Sequence, residues 1–256
     1  METLALSLLI GGFVGVSAGY LGSLMVLEKM ALVGDALSHV ALPGLALGIL
    51  FNFNPFLGAF AFLFASAVII WYLGKVTKLP FETIVGAVFT LSLAIGVLII
   101  PEAELLEALF GDIIKVTILE TVASAAISVV AVLLTKMIYK KLVLGMVSED
   151  LAVSKSINVG RINLLYLLLV SIVVAVGIKI VGTLLVGFLV VVPAAAAKNV
   201  SANLFRYAVL SAAFGAVSAC SGILVSSYFN LATGPMVVLS GIAVFLAAVL
   251  AKSKAR

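Results

Sequence analysis

The sequence predicts an all-α polytopic membrane protein with eight or nine transmembrane helices, an external N-terminus and a cytoplasmic C-terminus. Three observations carry this. Of the 256 residues, 64% are hydrophobic and 10% charged, with a mean hydropathy of +1.38, whereas soluble domains are roughly 45–50% apolar and about 25% charged. The apolar residues form long unalternating runs of about 20, the length of a helix across a bilayer. The basic residues collect in alternate connections, the signature of cytoplasmic loops. A chain this apolar cannot hide its surface in one core, so the surplus faces lipid. Composition therefore excludes a soluble enzyme, a disordered linker and a nucleic-acid binder. The net charge of +4 reflects where the charges sit rather than any affinity for nucleic acid.

In order, the candidate spans lie near 4–27, 31–50, 55–73, 83–100, 116–135, 163–178, 180–197, 207–228 and 235–251. The opening Met1-Glu2-Thr3 lacks the positive start of a signal peptide, so the first run reads as a retained span. In it Gly11, Gly15 and Gly19 recur every fourth residue, a spacing that lets helix backbones approach closely, within one chain rather than across a dimer contact as the favoured of the two readings. The second run carries an aspartate and the chain's single histidine. The third and fourth hold no charged residue, and the fifth only Glu120 near its start. The stretch 163–197 is either two short helices or one crossing with a re-entrant piece, which leaves the count at eight or nine. Long unalternating runs suit helices rather than barrel strands. Almost nothing remains for a soluble part, so 1–256 reads as a single transmembrane domain.

Of the fifteen Lys and Arg residues, only Lys115 and Lys179 fall on one side; the other thirteen share the opposite side. The crowded side is cytoplasmic. The sparse side holds the segment 101–115 with Glu102, Glu104, Glu107 and Asp112, a candidate acidic entrance for a cation or else a solvated loop. One cysteine, Cys220, excludes an internal disulfide and a thiolate metal cage.

The informative stretch is Gly34-Asp35-Ala36-Leu37-Ser38-His39, followed by Leu42-Pro43-Gly44. Ionisable groups at membrane depth are costly and functional by default. Asp35 and His39 are four residues apart, so they share a helix face one turn apart, where one ion could contact both. Ser38 lies on nearly the same face. Pro43 has no N–H for the carbonyl of His39, and with Gly44 it predicts a kink or break in this helix. An ion pair fastening two helices is the competing reading. An N/O donor set suits Zn²⁺, Mn²⁺ or Fe²⁺ better than Cu⁺. Two ligands are too few for a closed structural zinc site, and incomplete coordination is what passage requires.

The longest cytoplasmic connection is predicted at about 136–162. Within it Ser148 can cap a short helix whose first turn holds Glu149 and Asp150, followed by an apolar Leu151-Ala152-Val153. No phosphate-binding loop occurs, since Gly74-Lys75 is followed by Val76, so ATP would have to be hydrolysed by a separate subunit.

The Asp-Ala-Leu-Ser-His and Leu-Pro-Gly segments, preceded by Glu28-Lys29, resemble the signature of the ABC-3 metal permeases, the membrane subunits of zinc, manganese and iron ABC importers. Further similarities follow at Gly86 to Gly96, 109–113, 181–186, Val192-Pro193-Ala194, Ser226-Ser227-Tyr228 and Thr233-Gly234-Pro235, covering nearly the whole chain. The resemblance implies a cell-membrane permease in which two copies form a pathway, driven by cytoplasmic ABC ATPase subunits and fed by an extracytoplasmic metal-binding protein. It implies no resident cofactor, a transported divalent metal held by Asp35 and His39, and an ATPase-coupling helix at 148–156. It also makes Pro193 a packing or gating position. Ser156 stands where the family usually has glycine. The alternatives are a stand-alone metal–proton carrier with Asp35 as its proton site, a permease for large organometallic ligands such as haem or siderophores, and an intramembrane hydrolase. The last has too few histidines, and Ser38 and His39 point to different faces.

Overall fold

The structure, a computed structural model, describes residues 2–100, 109, 117–183 and 186–254. Every regular element among them is an α-helix: α1 (Glu2–Leu27), α2 (Ala31–Leu50), α3 (Pro55–Val76), α4 (Phe81–Ile99), α5 (Ile118–Val147), α6 (Glu149–Ser154), α7 (Val159–Val181), α8 (Val186–Val200), α9 (Leu204–Phe229) and α10 (Thr233–Lys254). Eight are long and apolar enough to cross a membrane. The exception among the apolar helices is α8, whose fifteen residues reach about 22 Å at 1.5 Å per residue, short of a roughly 30 Å hydrocarbon core. The helix described within the 180–197 run is therefore too short to span, and the candidate spans among the described residues number eight.

Local chemistry sets the boundaries. Asn54 accepts the Phe56 N–H at 3.0 Å ahead of Pro55, which opens α3. Thr117 and Glu120 form a reciprocal capping box at the start of α5. Asn158 and Asn203 cap α7 and α9 by accepting the N–H of Arg161 and Arg206. Asn230, at φ 52°, closes α9 in a left-handed cap. Ser226 Oγ then donates to the Leu231 carbonyl at 2.6 Å and lies 3.0 Å from Thr233 Oγ1, tying α9 to α10.

The helices pack through small residues, as expected where lipid offers no hydrophobic drive to associate. Gly15 and Gly215 face each other's carbonyls across α1 and α9, and Gly19 lies on Ser211, whose hydroxyl donates to the Gly19 carbonyl. The glycine ladder of α1 is thus an intramolecular seam. In the same way Gly44 and Gly58 join α2 to α3, and Gly222 abuts Val237 between α9 and α10. The core runs through α1, α2, α3, α7 and α8, with Leu21, Met25, Leu37, Leu63, Leu167, Val174 and Leu189 buried in one cluster. In α2, 78% of the apolar stretch is enclosed, against 22–28% in α4, α5 and α10, which present their faces outward.

Two expectations need correction. The connection predicted at 136–162 is mostly helix, because α5 continues to Val147. Its thirty residues extend about 45 Å, beyond the hydrocarbon core. Lys136, Lys140 and Lys141 ride on that overhang at helical spacing. Second, of the kink or break expected at Pro43, the break does not occur: α2 is one continuous helix to Leu50 with Pro43 inside it. Neighbouring backbone clasps it there. A Cβ on Gly96 would sit 2.8 Å from Leu42 Cβ and 3.3 Å from Pro43 N, so α4 presses on the proline from one side while Gly58 of α3 meets Gly44 on the other.

Candidate metal site on the second helix

Within α2, Asp35 and His39 stand one turn apart as their spacing requires, with His39 Nε2 3.8 Å from Asp35 Oδ1. That is too long for a hydrogen bond. Bonds of about 2.0–2.2 Å from an ion to each atom would bridge such a gap with an angle of roughly 120–145° at the ion. The two side chains differ in setting: that of His39 is 9% exposed and that of Asp35 52%. The imidazole is held edge-on to Phe89 of α4, ring centroids 5.2 Å apart, and its Nδ1 is buried without a hydrogen-bond partner. Packing rather than hydrogen bonding therefore orients the ring.

Asp35 is placed by an approach that sequence reasoning missed. At Gly187 in α8, an added Cβ would fall 2.6 Å from Asp35 Cα and 2.8 Å from Asp35 N, so α8 lies directly against the backbone that carries the carboxylate. One turn along, Val190 meets Gly34 and Gly22. The available signal was a lone glycine inside an apolar run, which marks close backbone approach. Ser38 does not join the pair. It is buried, and its Oγ donates to the Asp35 carbonyl at 2.6 Å, within its own helix. That bond also removes it as a nucleophile partner for His39. Among the described residues no cluster of three or more His, Cys, Asp or Glu side chains could hold a metal. Among the described residues the Asp35–His39 pair thus offers two donors.

The other candidates separate into two groups. Glu102 and Glu104 lie outside the described residues. The short helix predicted around 149 is present as α6, capped by Ser148, whose Oγ accepts the Leu151 N–H at 3.3 Å, with Glu149 and Asp150 in the first turn. Leu151 and Val153 are exposed, but Ala152 is fully buried and takes no part in the apolar surface expected of the trio. A six-residue helix shows one face outward and turns the other into the protein. Ser156 closes the turn at φ 57°, the left-handed region that glycine adopts without cost. Pro193 is buried within α8, with no donor atom to offer a metal.

Comparison with known proteins bears on this arrangement. A family model described as the ABC 3 transport family matches residues 1–252. The manganese transport system membrane protein MntC of Listeria monocytogenes is 32% identical over 241 residues, covering 93% of this chain and 86% of its own length. The high-affinity zinc uptake system membrane protein ZnuB of Buchnera aphidicola is 32% identical over 235 residues, covering 89% of this chain and 90% of its own. Among solved structures, PsaBC from Streptococcus pneumoniae in complex with Fab superposes with a TM-score of 0.85 at 29% identity, over 97% of this chain and 91% of that one.

Proposed function

The chain belongs to the ABC 3 transport family, and from that premise we propose that it is the multi-pass cell-membrane permease of an ATP-binding-cassette importer for manganese or zinc, with Asp35 and His39 as the ligands that carry the ion through. The observation that supports this most directly is the 3.8 Å gap between a carboxylate oxygen and an imidazole nitrogen on an enclosed helix. His39, fixed by packing against Phe89, is the anchor; Asp35, half exposed beside Gly187, is the arm that meets the ion first. Together they replace part of the hydration shell without closing the coordination sphere, which leaves the ion able to depart. Iron remains within reach of the same donor set, since carboxylate and imidazole do not discriminate sharply among these metals.

The permease does not hydrolyse ATP; a separate ATPase subunit supplies the energy. Its docking element is α6, whose exposed Leu151 and Val153 form the contact with Glu149 and Asp150 beside them. The basic ends of the helices face the cytoplasm by the positive-inside rule. A second copy completes the pathway, and an extracytoplasmic binding protein delivers the metal near the acidic 101–115 segment. Membership of an ATP-driven family sets aside the stand-alone metal–proton carrier.

The test is uptake of ⁵⁴Mn²⁺ and ⁶⁵Zn²⁺ into vesicles holding the permease, its ATPase and its binding protein. Asp35→Ala and His39→Ala should each abolish ATP-dependent uptake while the ATPase still co-purifies. Wild-type uptake by either variant overturns the ligand assignment.

A further inference from the structure

The link between α1 and α2 is three residues long and tightly wound, with Lys29 at φ 60° and the Met30 N–H bonded to the Met25 carbonyl at 2.9 Å. It buries the end of Glu28, whose Oε2 has no hydrogen-bond partner. A buried carboxylate oxygen without a partner is costly and calls for one. Glu28 lines a cavity of about 690 Å³, together with Trp71 and Lys75 of α3, Glu149 of α6, and Arg161 and Tyr166 of α7.

The wall itself offers little to this carboxylate. Trp71 Nε1 donates to the Gly160 carbonyl at 2.7 Å, and Tyr166 Oη donates to the Leu21 carbonyl at 2.7 Å. Lys75 Nζ lies over the Trp71 ring, 5.6 Å from its centroid. A second cavity, of about 390 Å³, shares Glu149 and Asn158–Gly160 with the first. Both hollows therefore border the segment joining α6 to α7, and both reach the helix assigned to ATPase docking.

We propose that the ATPase subunit, on seating against α6, inserts a basic side chain into the larger cavity to pair with Glu28, so that docking is read at the hinge from which α2 carries Asp35 and His39. This rests on the docking role of α6 proposed above. The occupant is cationic because the unpaired group is a carboxylate. It belongs to the ATPase because the cavity wall is continuous with α6 through Glu149. Burial pushes the Glu28 carboxyl up to about 7. The charged and titratable groups facing it are Lys75, Glu149, Arg161 and Tyr166 on the cavity wall, Lys29 beside it in the chain, and Tyr139 and Tyr207, which interact electrostatically with Tyr166. None of them pairs with Oε2. A cation entering from the partner holds Glu28 ionised, so docking expels the proton that the free permease keeps.

The experiment is calorimetric titration of the purified ATPase into full-length permease in lipid nanodiscs, in buffers of different ionisation enthalpy. At pH 7 docking should release up to about half a proton per permease, and affinity should rise about tenfold from pH 6 to pH 8. Glu28→Gln should abolish both effects and weaken binding at pH 8 by about tenfold; Glu28→Asp should retain proton release. Leu151→Asp tests the underlying reading separately. If it leaves docking intact, α6 is not the docking element. If it abolishes docking while Glu28→Gln binds and releases protons as wild type, the Glu28 inference alone fails.

Discussion

Replacing Gly187 by alanine tests how the carboxylate of the proposed metal site is placed. The new Cβ would lie 2.6 Å from Asp35 Cα and 2.8 Å from Asp35 N. Both contacts are backbone, which cannot swing aside as a flexible side chain would. Restoring an ordinary separation of about 3.5 Å requires nearly 1 Å of movement; where the first turn of α2 yields, the Asp35 backbone is displaced relative to His39 against a tolerance of roughly 0.2 Å for metal–ligand distances. Overpacking of this kind costs about 1–3 kcal/mol. Uptake of ⁵⁴Mn²⁺ in reconstituted vesicles should fall at least about tenfold, because displacements of about 1 Å in a preorganised site carry penalties of that order or larger. The melting temperature in detergent should fall as well. Gly86→Ala is the control: nothing lies within 4 Å of a Cβ there, so uptake and melting should stay at wild-type values. If Gly187→Ala and Gly86→Ala behave alike in both assays, α8 does not position Asp35.

Three further outcomes follow from other parts of the molecule. Ser156, at φ 57° after α6, carries a left-handed strain that glycine lacks, so Ser156→Gly should stabilise the protein by up to about 1 kcal/mol, seen as a higher melting temperature. The carboxyl of Glu28 is raised by burial from 4.5 to about 7; between those values the folded state holds more proton than the unfolded. Stability of the permease alone should therefore fall as pH rises from 5 to 7 and level off above, by at most about 3 kcal/mol, and melting of Glu28→Gln should lack that slope. Trp71→Phe removes the Nε1–Gly160 bond that fastens α3 to the start of α7, at a cost of about 1 kcal/mol measured by the same melts.

The spans were legible because lipid imposes length and hydrophobicity on each run separately, without reference to its neighbours. The ends were less so. The run at 116–135 gave no hint of a helix reaching Val147, since the lysines of the overhang satisfy a solvated helix as well as a loop. The Asp35–His39 pair was visible because two ionisable groups at i and i+4 need only helical periodicity to meet. What supports the pair was not. Phe89 comes from a helix two spans along the chain and Gly187 from far beyond it, and nothing within one segment says which glycine will lie against which backbone. The break expected at Pro43 failed for the same reason. A proline weakens its own helix locally, but whether the helix opens depends on what presses on it, and here Gly58 and Gly96 admit the backbones of α3 and α4 to either side.

The asymmetry of the pair bears on how an ion can be both captured and released. A rigid, fully enclosed set of donors would hold the metal as a structural site does, with a correspondingly slow exit. Here one donor is fixed and buried and the other is half exposed, so occupancy depends on where Asp35 stands relative to a stationary His39. Its backbone is touched by α8, and its helix follows α1 after a three-residue link. A rigid shift of α2 carries both donors together, so the Nε2–Oδ1 separation changes only if the Asp35 backbone is displaced locally relative to His39; a displacement of about 1 Å would exceed what a metal–ligand bond tolerates. A local displacement of the first turn of α2, with His39 held against Phe89, would then suffice to switch the proposed site between holding an ion and letting it go.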